Sequence, residues 1–282
     1  MPDRPNVAEK RRRFRALHET GCFVIPNPWD AGSARWLQSL GFAALATTSS
    51  GFAWSIGRPD AGVSLEPVLA HLRTIVDATD VPINADFENG YGSDAQGVAD
   101  HVARAVATGV AGLSIEDSTG DAARPLFERA EAVDRLRAAR SAIDATDGDT
   151  LLVGRCESYL HGRPHLGETI ARLQAYAEAG ADCLYAPGLR ERADIAAVVA
   201  AVAPKPVNLL VGWASEMTLD EIASLGVRRV SVGGALARSA WGGFQRAAAR
   251  LMQGRFDGFA DAARGADLDA FFRDSRSPGV KE

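Results

Sequence analysis

Four acidic residues lie where predicted β-strands end, and they are the residues of this chain best suited to chemistry. Asp86 and Glu88 are two positions apart, so a strand would turn both toward one face, while Asp60 and Glu116 follow other strands. Carboxylates that converge repel one another unless positive charge lies between them. Oxygen ligands suit a hard ion, Mg²⁺ or Mn²⁺, better than Zn²⁺. The spacing therefore predicts a metal-dependent active site.

Other polar residues at predicted strand ends could complete this site. Arg155 occupies an inward-facing position, and its planar, permanently charged guanidinium suits a bidentate contact with a substrate carboxylate or a developing oxyanion. An ion pair with Glu157 on the same face is the structural alternative. Ser49, Ser50 and the amide of Gly51 form either a small nest for an anionic group or an ordinary turn. Together with a metal ion, Arg155 would stabilise an enolate as it forms.

Three further features each leave two interpretations open. Asn208, in predicted strand 7, serves either a ligand or the backbone. His161 and His165, in the loop after strand 5, are either surface residues or acid/base or lid groups. The pair Gly233-Gly234, at the start of a helix after strand 8, weakly matches the phosphate site common in barrels.

Short β-rich segments alternate along the chain with longer Ala-, Leu- and Arg-rich segments of helical apolar spacing. The eight predicted strands cover residues 22–26, 43–48, 82–86, 112–116, 151–155, 183–186, 207–211 and 229–232. Strands joined by helices pair in parallel, and eight such units close into a (β/α)8 TIM barrel. Catalytic groups of this fold lie at the carboxyl ends of the strands, so the candidate residues would meet at one mouth.

The composition narrows the classes of function. The chain has 282 residues, 46% of them hydrophobic, which is enough for one large barrel core. A net charge of −5 argues against nucleic acid or an anionic membrane as partner, and no segment reaches the roughly 20 apolar residues of a membrane span. The three cysteines lie in apolar segments and predict inert thiols. With no apolar signal segment, these features predict a cytoplasmic protein.

The regular alternation of strands and helices predicts a single domain over residues 1–282. It begins with an N-terminal helix within residues 1–20 and ends with helices within 235–274, of which the last is expected over 256–273 after a break at Gly254. A tail at 275–282 is expected to be disordered. The apolar final helices favour a homo-oligomer.

Several motifs resemble those of the isocitrate lyase/phosphoenolpyruvate mutase superfamily. They run in order over residues 20–250 and comprise Pro-Asn-Pro-Trp-Asp-Ala at 26–31, Ser-Ser-Gly at 49–51, Gly-Arg-Pro-Asp at 57–60, Asp-Phe-Glu-Asn-Gly-Tyr-Gly at 86–92, Ile-Glu-Asp at 115–117, Gly-Arg at 154–155, Ala-Gly-Ala-Asp at 179–182, Pro-Val-Asn at 206–208 and Leu-Gly-Val-Arg-Arg-Val-Ser-Val-Gly at 225–233. Their number and order make the resemblance specific.

The resemblance implies a (β/α)8 barrel whose C-terminal helices are exchanged between subunits of a homodimer or homotetramer. It implies Mg²⁺, with Mn²⁺ as an alternative, bound by a cluster of Asp60, Asp86, Glu88 and Glu116. It implies contacts to a small carboxylate substrate from Ser49, Ser50, Gly51, Arg155 and Asn208. Arg155, Asp60 and Glu116 are the expected catalytic residues, and the reaction would make or break a C–C or P–C bond beside a 2-oxo acid.

The loop that carries the acid/base thiol of the related lyases differs in this chain. The family's Lys-Lys-Cys-Gly-His segment corresponds to residues 117–125, which contain no Cys, Lys or His. Ser118, Thr119 and Arg124 are the candidates for substrate contacts there. We therefore expect a Mg²⁺-dependent lyase that cleaves a C–C bond of a small 2-oxo or 2-hydroxy acid, by retro-aldol reaction or decarboxylation. P–C bond chemistry on phosphonopyruvate and a carboxylate-binding barrel without turnover are the alternatives.

Overall fold

Parallel strands alternate with helices in a computed structural model of the chain, which describes residues 4–146 and 148–273. The eight strands are β1 (Phe23–Ile25), β2 (Leu45–Ala46), β3 (Ile83–Asp86), β4 (Gly112–Glu116), β5 (Leu151–Arg155), β6 (Cys183–Tyr185), β7 (Val207–Leu210) and β8 (Arg229–Ser231). Each falls within a segment predicted from the sequence.

Helices connect the strands and extend the chain at both ends. They are α1 (Val7–Leu17), α2 (Ala31–Ser39), α3 (Ser49–Ser55), α4 (Leu65–Ala78), α5 (Ala95–Val106), α6 (Arg129–Thr146), α7 (Leu166–Glu178), α8 (Arg192–Val202), α9 (Leu219–Ser224), α10 (Ala235–Met252) and α11 (Gly265–Arg273). A short 3-10 helix, Asp257–Phe259, lies between the last two. None of the described helices is long and apolar enough to cross a membrane.

The strands form one all-parallel sheet that nearly closes on itself. Neighbours pair in the order β1-β8-β7-β6-β5-β4-β3-β2. At the remaining seam, the amide of Ala46 in β2 donates to the carbonyl of Pro26, just after β1, at 3.1 Å. The predicted (β/α)8 TIM barrel is confirmed.

Apolar packing explains why these segments fold as they do. The main hydrophobic cluster lies between the strands and the surrounding helices, where Leu69 of α4 and Phe87 after β3 are fully buried. Helix α1 closes the amino-terminal end of the barrel, because Phe14 packs against Ile25 and Leu151 inside it. The opposite end, where the strands finish, stays available for a site.

Two segments differ from the sequence-based expectation. Residues 49–51 were expected as a nest or turn, but they form the first turn of α3, which Thr48 caps by accepting from the amide of Gly51. A helix expected over 256–273 begins only at Gly265, after the 3-10 helix. Glycines at 254, 258 and 265 explain the interruption, since glycine is a poor helix former. The tail predicted at 275–282 lies outside the described residues.

Candidate active site

The side chain of Arg155 lies among carboxylates from three neighbouring strands. Its Nη1 atom is 3.0 Å from Asp86 Oδ1 and 3.2 Å from Glu116 Oε2, and its Nε atom contacts Glu157. Strand register explains the proximity, because Glu116 of β4 pairs with Arg155 of β5, and β3 lies on the other side of β4. The sequence-predicted Asp86, Glu116 and Arg155 therefore meet at the mouth of the barrel.

Burial and neighbouring charges shift the pKa values of Arg155, Glu116 and Glu157. Burial alone lowers the pKa of Arg155, but the negative charges of Glu157, Glu116 and Asp86 raise it well above its ordinary range. Burial raises the pKa of Glu116 well above its usual value, although the Arg155 charge acts in the opposite direction. The pKa of Glu157 is raised for the same reason. Arg155 is thus permanently charged, and one guanidinium is not enough to stabilise all of the neighbouring carboxyl groups in their ionised forms.

Ser49 fixes the position of Asp86 and links it to Asp60. The Ser49 amide and hydroxyl both donate to Asp86 Oδ2 at 2.9 Å, and the hydroxyl is 3.5 Å from Asp60 Oδ1. The sequence suggested that Asp60 directly follows a strand. In the structure it lies instead in the loop between α3 and α4. Burial, and secondly the charge of Asp86, raise the pKa of Asp60. The structure therefore brings Asp60 to the cluster by a longer path than predicted.

Glu88 lies beyond the end of β3 and points toward Tyr91. The Tyr91 hydroxyl donates to Glu88 Oε1 at 2.7 Å. Among the described residues, the non-glycine positions with positive φ are Ala61 (57°), Glu88 (45°) and Tyr91 (59°), all beside these carboxylates. Such conformations cost roughly 1–3 kcal/mol each and concentrate at functional sites. Strained backbone therefore marks the same location as the charges.

The raised pKa of Glu88 predicts how the stability of the metal-free protein depends on pH. Burial raises this pKa from 4.5 to about 7, so between these values the folded protein binds more protons than the unfolded chain. Stability should therefore fall as pH rises from about 5 to 8, by on the order of 2 kcal/mol after allowance for partial exposure. Urea unfolding of EDTA-treated protein at several pH values measures this. Glu88→Gln should make the dependence less steep, with the remaining slope coming from Asp60, Glu116 and Glu157, and an equally steep profile in that variant would contradict the assignment.

The donor set at this mouth fits a divalent cation. Five carboxyl groups face one guanidinium there, namely those of Asp60, Asp86, Glu88, Glu116 and Glu157. Four of these groups, those of Asp60, Glu88, Glu116 and Glu157, have pKa values raised mainly by burial and further by neighbouring carboxylates, so further positive charge would stabilise their ionised forms. Among the described residues, no three acidic, histidine or cysteine side chains are grouped closely enough to enclose an ion directly. That arrangement suits an ion that keeps several water ligands, as Mg²⁺ does.

A cavity of about 170 Å³ opens beside this cluster. Its lining includes Ser49, Ser50, Asp60, Asp86, Arg155, Tyr185, Asn208 and Arg229. Gly51 does not line it. A Cβ atom at Gly51 would lie 2.7 Å from Thr48 Cγ2 and 3.0 Å from Trp29 Cβ, so glycine is required here for packing. The cavity is large enough for a small organic acid.

Asn208 lines the cavity, but its amide group already has protein partners. Its Nδ2 donates to Ser231 Oγ at 2.9 Å, and its Oδ1 accepts from Arg229 Nε at 2.8 Å. Its predicted contact with substrate stays a prediction.

The loop after β4 is folded into a short hairpin. Ser118 and Leu126 form an antiparallel bridge, and Thr119 is hydrogen-bonded within the loop, to the carbonyl of Arg124. Ser118 is only 9% exposed, and its Oγ lies 3.1 Å from His161 Nε2 in the loop after β5. Neither Ser118 nor Thr119 is among the residues that line the cavity. Their role in substrate binding therefore stays a prediction.

Thiol chemistry is not supported at this site. Cys156 and Cys183 are buried, and Cys22 is partly buried. Burial raises the pKa of Cys156 to about 12 and also raises the pKa values of the other two. The prediction of inert thiols agrees with this.

Two tyrosines of the site did not emerge from the sequence analysis. Tyr185 ends β6, lines the cavity, and has its ring centroid 5.1 Å from the guanidinium carbon of Arg155. Inward alternation with Cys183 could have identified it. Tyr91 was part of a quoted motif, but its hydrogen bond to Glu88 depends on a left-handed turn that no residue pattern predicts.

The chain is similar to known enzymes over most of its length. A family model described as phosphoenolpyruvate phosphomutase matches residues 14–252. An oxaloacetate decarboxylase of Paraburkholderia xenovorans is 31% identical over 233 residues, which are 79% of this chain and 75% of that protein.

Solved structures show the same similarity. A protein of Burkholderia cenocepacia J2315, described provisionally as a lyase/mutase, is 47% identical with a TM-score of 0.92, and the match covers 96% of this chain and 99% of that one. A phosphonopyruvate hydrolase in complex with oxalate and Mg²⁺ is 27% identical with a TM-score of 0.82, covering 95% of this chain and 96% of that one.

Proposed function

Because the chain belongs to the phosphoenolpyruvate phosphomutase family, within the isocitrate lyase/phosphoenolpyruvate mutase superfamily, we propose that it is a Mg²⁺-dependent lyase of small carboxylic acids. The reaction is cleavage of a C–C bond in a 2-oxo or 2-hydroxy acid, through an enolate. A decarboxylase among its relatives supports C–C cleavage, and a relative that holds Mg²⁺ and oxalate supports the cofactor.

The arrangement around Arg155 is the observation that carries this proposal. A permanently charged guanidinium lies beside a cavity, in contact with Asp86, Glu116 and Glu157. A substrate oxyanion that approaches Arg155 meets a rigid donor in a water-poor site, where such contacts are stronger than in water.

The acidic residues would hold the metal ion. We assign Asp86 as the direct ligand, with Asp60, Glu88 and Glu116 holding water ligands. A bound divalent cation would supply positive charge for the carboxylate and enolate oxygens of the substrate. Ser49 orients Asp86 through two hydrogen bonds, and Arg155 donates to the oxygen on which negative charge develops.

Decarboxylation is the C–C cleavage that these residues support best. In oxaloacetate the C3–C4 bond breaks, its electron pair forms the enolate of pyruvate, and CO₂ leaves. A solvent water then protonates C3. No base has to remove a substrate proton, which agrees with the absence of Cys, Lys and His from residues 117–125. A retro-aldol reaction would need a base to deprotonate a substrate hydroxyl.

One observation disfavours P–C chemistry at the usual phosphate position of the barrel. The amides of Val232 and Gly233, which would bind a phosphate after strand 8, both donate to Asn27 Oδ1, at 2.9 and 2.8 Å. The weakly indicated Gly233-Gly234 phosphate site is therefore already occupied by a side chain of the protein.

The direct test is turnover of a small panel of acids. With Mg²⁺, we expect the protein to release pyruvate from oxaloacetate at least about 100-fold faster than Mg²⁺ alone, and EDTA to abolish this activity. Pyruvate is measured by a coupled reduction, and 2-methylisocitrate and phosphonopyruvate are assayed in parallel. Pyruvate formation from phosphonopyruvate alone would contradict C–C cleavage and support the P–C alternative.

We also propose that the final helices pair with a second copy of the chain. Large apolar side chains of α10 and the segment after it are exposed, including Trp241, Phe244, Met252 and Phe256. The α10 residues would be covered in a homodimer or homotetramer. Sedimentation measurements distinguish these states from a monomer.

A further inference from the structure

Arg229 is a buried cation inside the barrel, and its hydrogen-bond partners among the described residues are neutral. Its side chain is 3% exposed. Its Nε donates to Asn208 Oδ1 at 2.8 Å, and its Nη1 lies 3.3 Å from Asn84 Oδ1 and 3.4 Å from His18 Nε2. Because His18 Nδ1 lies 2.8 Å from the carbonyl of Phe14, that nitrogen carries the proton and Nε2 accepts.

Within the described part of the chain, the charge of Arg229 lacks a counter-ion. Among residues 4–146 and 148–273, no carboxylate oxygen lies within 4.0 Å of its guanidinium nitrogens, in contrast to Arg155. Burying an unpaired ion costs several kcal/mol. Burial and the Arg229 charge lower the pKa of His18 to about 3, so this histidine adds no charge. An unpaired buried charge of this kind is a candidate for ligand binding.

Arg229 lines the same cavity as Arg155 and Asp86. In the described part of the chain, the Nη2 atom of Arg229 has no hydrogen-bond partner. This atom is also not completely enclosed by protein, so it is accessible from open space. Small side chains, Ala46 and Ser114, also line the cavity. The cavity therefore has one cationic side chain among carboxylates and another without them.

We propose that Arg229 binds a second carboxylate of the substrate, one that takes no part in the reaction. This inference rests on the proposed function and adds the residue that would recognise an additional carboxylate on the chain of the substrate, Arg229. Asn208 and Asn84 position Arg229 by accepting hydrogen bonds from it. The reacting 2-oxo acid group lies at Arg155 and the acidic cluster.

The carboxylate at Arg229 is a retained group rather than the one lost as CO₂. A guanidinium stabilises the carboxylate anion, and this stabilisation disappears as the group becomes neutral CO₂, so it would slow decarboxylation. The same contact made equally in substrate and transition state improves binding without opposing the reaction.

Matched pairs of 2-oxo acids test this role. With Mg²⁺ present, 2-oxoglutarate is compared with 2-oxovalerate, and 2-oxoadipate with 2-oxohexanoate, by isothermal titration calorimetry. Each pair differs only in the terminal carboxylate. In at least one pair, we expect the wild type to bind the dicarboxylate at least about tenfold more tightly, as one charge-assisted hydrogen bond allows. Arg229→Gln should bring that ratio close to one.

Further variants separate recognition from folding. Oxalate has no additional carboxylate beyond the two-carbon unit that would lie at the acidic cluster, so it should bind the wild type and Arg229→Gln within about threefold. Arg229→Lys keeps a cation and should keep part of the preference. Arg228→Gln, at a partly exposed neighbour whose guanidinium donates to the Gly21 carbonyl, should keep all of it. A preference that is absent from the wild type, or that survives in Arg229→Gln or in an Arg229→Met variant, overturns the inference. Failure of oxalate to bind with Mg²⁺ would instead contradict the proposed function.

Discussion

Asp86→Asn is expected to lower the Mg²⁺-dependent affinity for oxalate at least about 100-fold and turnover about 1,000-fold. Both carboxylate oxygens of Asp86 accept hydrogen bonds, Oδ1 from Arg155 and Oδ2 from the amide and hydroxyl of Ser49. An asparagine has the same shape, but its NH₂ group must face a donor on one side or the other. The substitution therefore removes the negative charge at position 86. It also misaligns Arg155 and Ser49, which donate hydrogen bonds to the Asp86 side chain.

Calorimetric titration of oxalate with and without Mg²⁺ measures this effect. Asp100→Asn is the matched control, because Asp100 is exposed on α5 and its side chain accepts a hydrogen bond from Gln96, away from the cavity. We expect that control to bind oxalate as the wild type does. If Asp86→Asn folds normally and still binds oxalate in a Mg²⁺-dependent manner, the metal assignment is wrong.

Arg155→Met should be the most damaging substitution in the chain. It leaves the buried carboxylates of Glu116 and Glu157 without a cation, and loss of one member of a buried ion pair costs about 3–5 kcal/mol. Turnover should disappear as well. Arg155→Lys keeps the charge but offers a compact ammonium in place of a planar fork, so it should fold and lose kcat/KM by about 100-fold or more.

Urea unfolding and steady-state kinetics separate these two effects. Arg163→Met is the matched control, because Arg163 is exposed in the loop after β5. That control should change neither stability nor kcat/KM. If Arg155→Met were as stable as the wild type, the acidic cluster would not depend on this guanidinium. If Arg155→Lys had the same kcat/KM as the wild type, a bidentate contact from the Arg155 guanidinium to the substrate would be excluded.

Much of the site could be predicted because it depends on local geometry. Asp86, Glu116 and Arg155 each end a strand of period-2 alternation, and parallel strands bring their carboxyl ends to one edge. The strand order then places β3, β4 and β5 side by side. Residue type, spacing and the barrel rule were sufficient to bring these three together.

Other parts of the site depend on contacts that local patterns do not encode. Asp60 reaches the cluster only because α3 turns the chain back before α4 begins. The sequence of residues 49–51 allowed a nest that ends at Gly51. In the structure, the close approach of Trp29 and the cap from Thr48 place Gly51 in the first turn of a helix instead. Glu88 turns to Tyr91 through left-handed backbone that the alternation rule cannot predict.

Arg229 shows the same division most clearly. In the sequence it follows another arginine at the start of a short strand, and nothing there distinguishes a buried cation from an exposed one. Closure of the barrel brings it to Asn84, Asn208 and His18, which are 145, 21 and 211 positions away. The sequence by itself determined the strands, their alternation and the residues at their ends, because these follow from backbone geometry. Only the tertiary structure decided which charges are paired, because pairing requires segments far apart in the chain to meet inside one barrel.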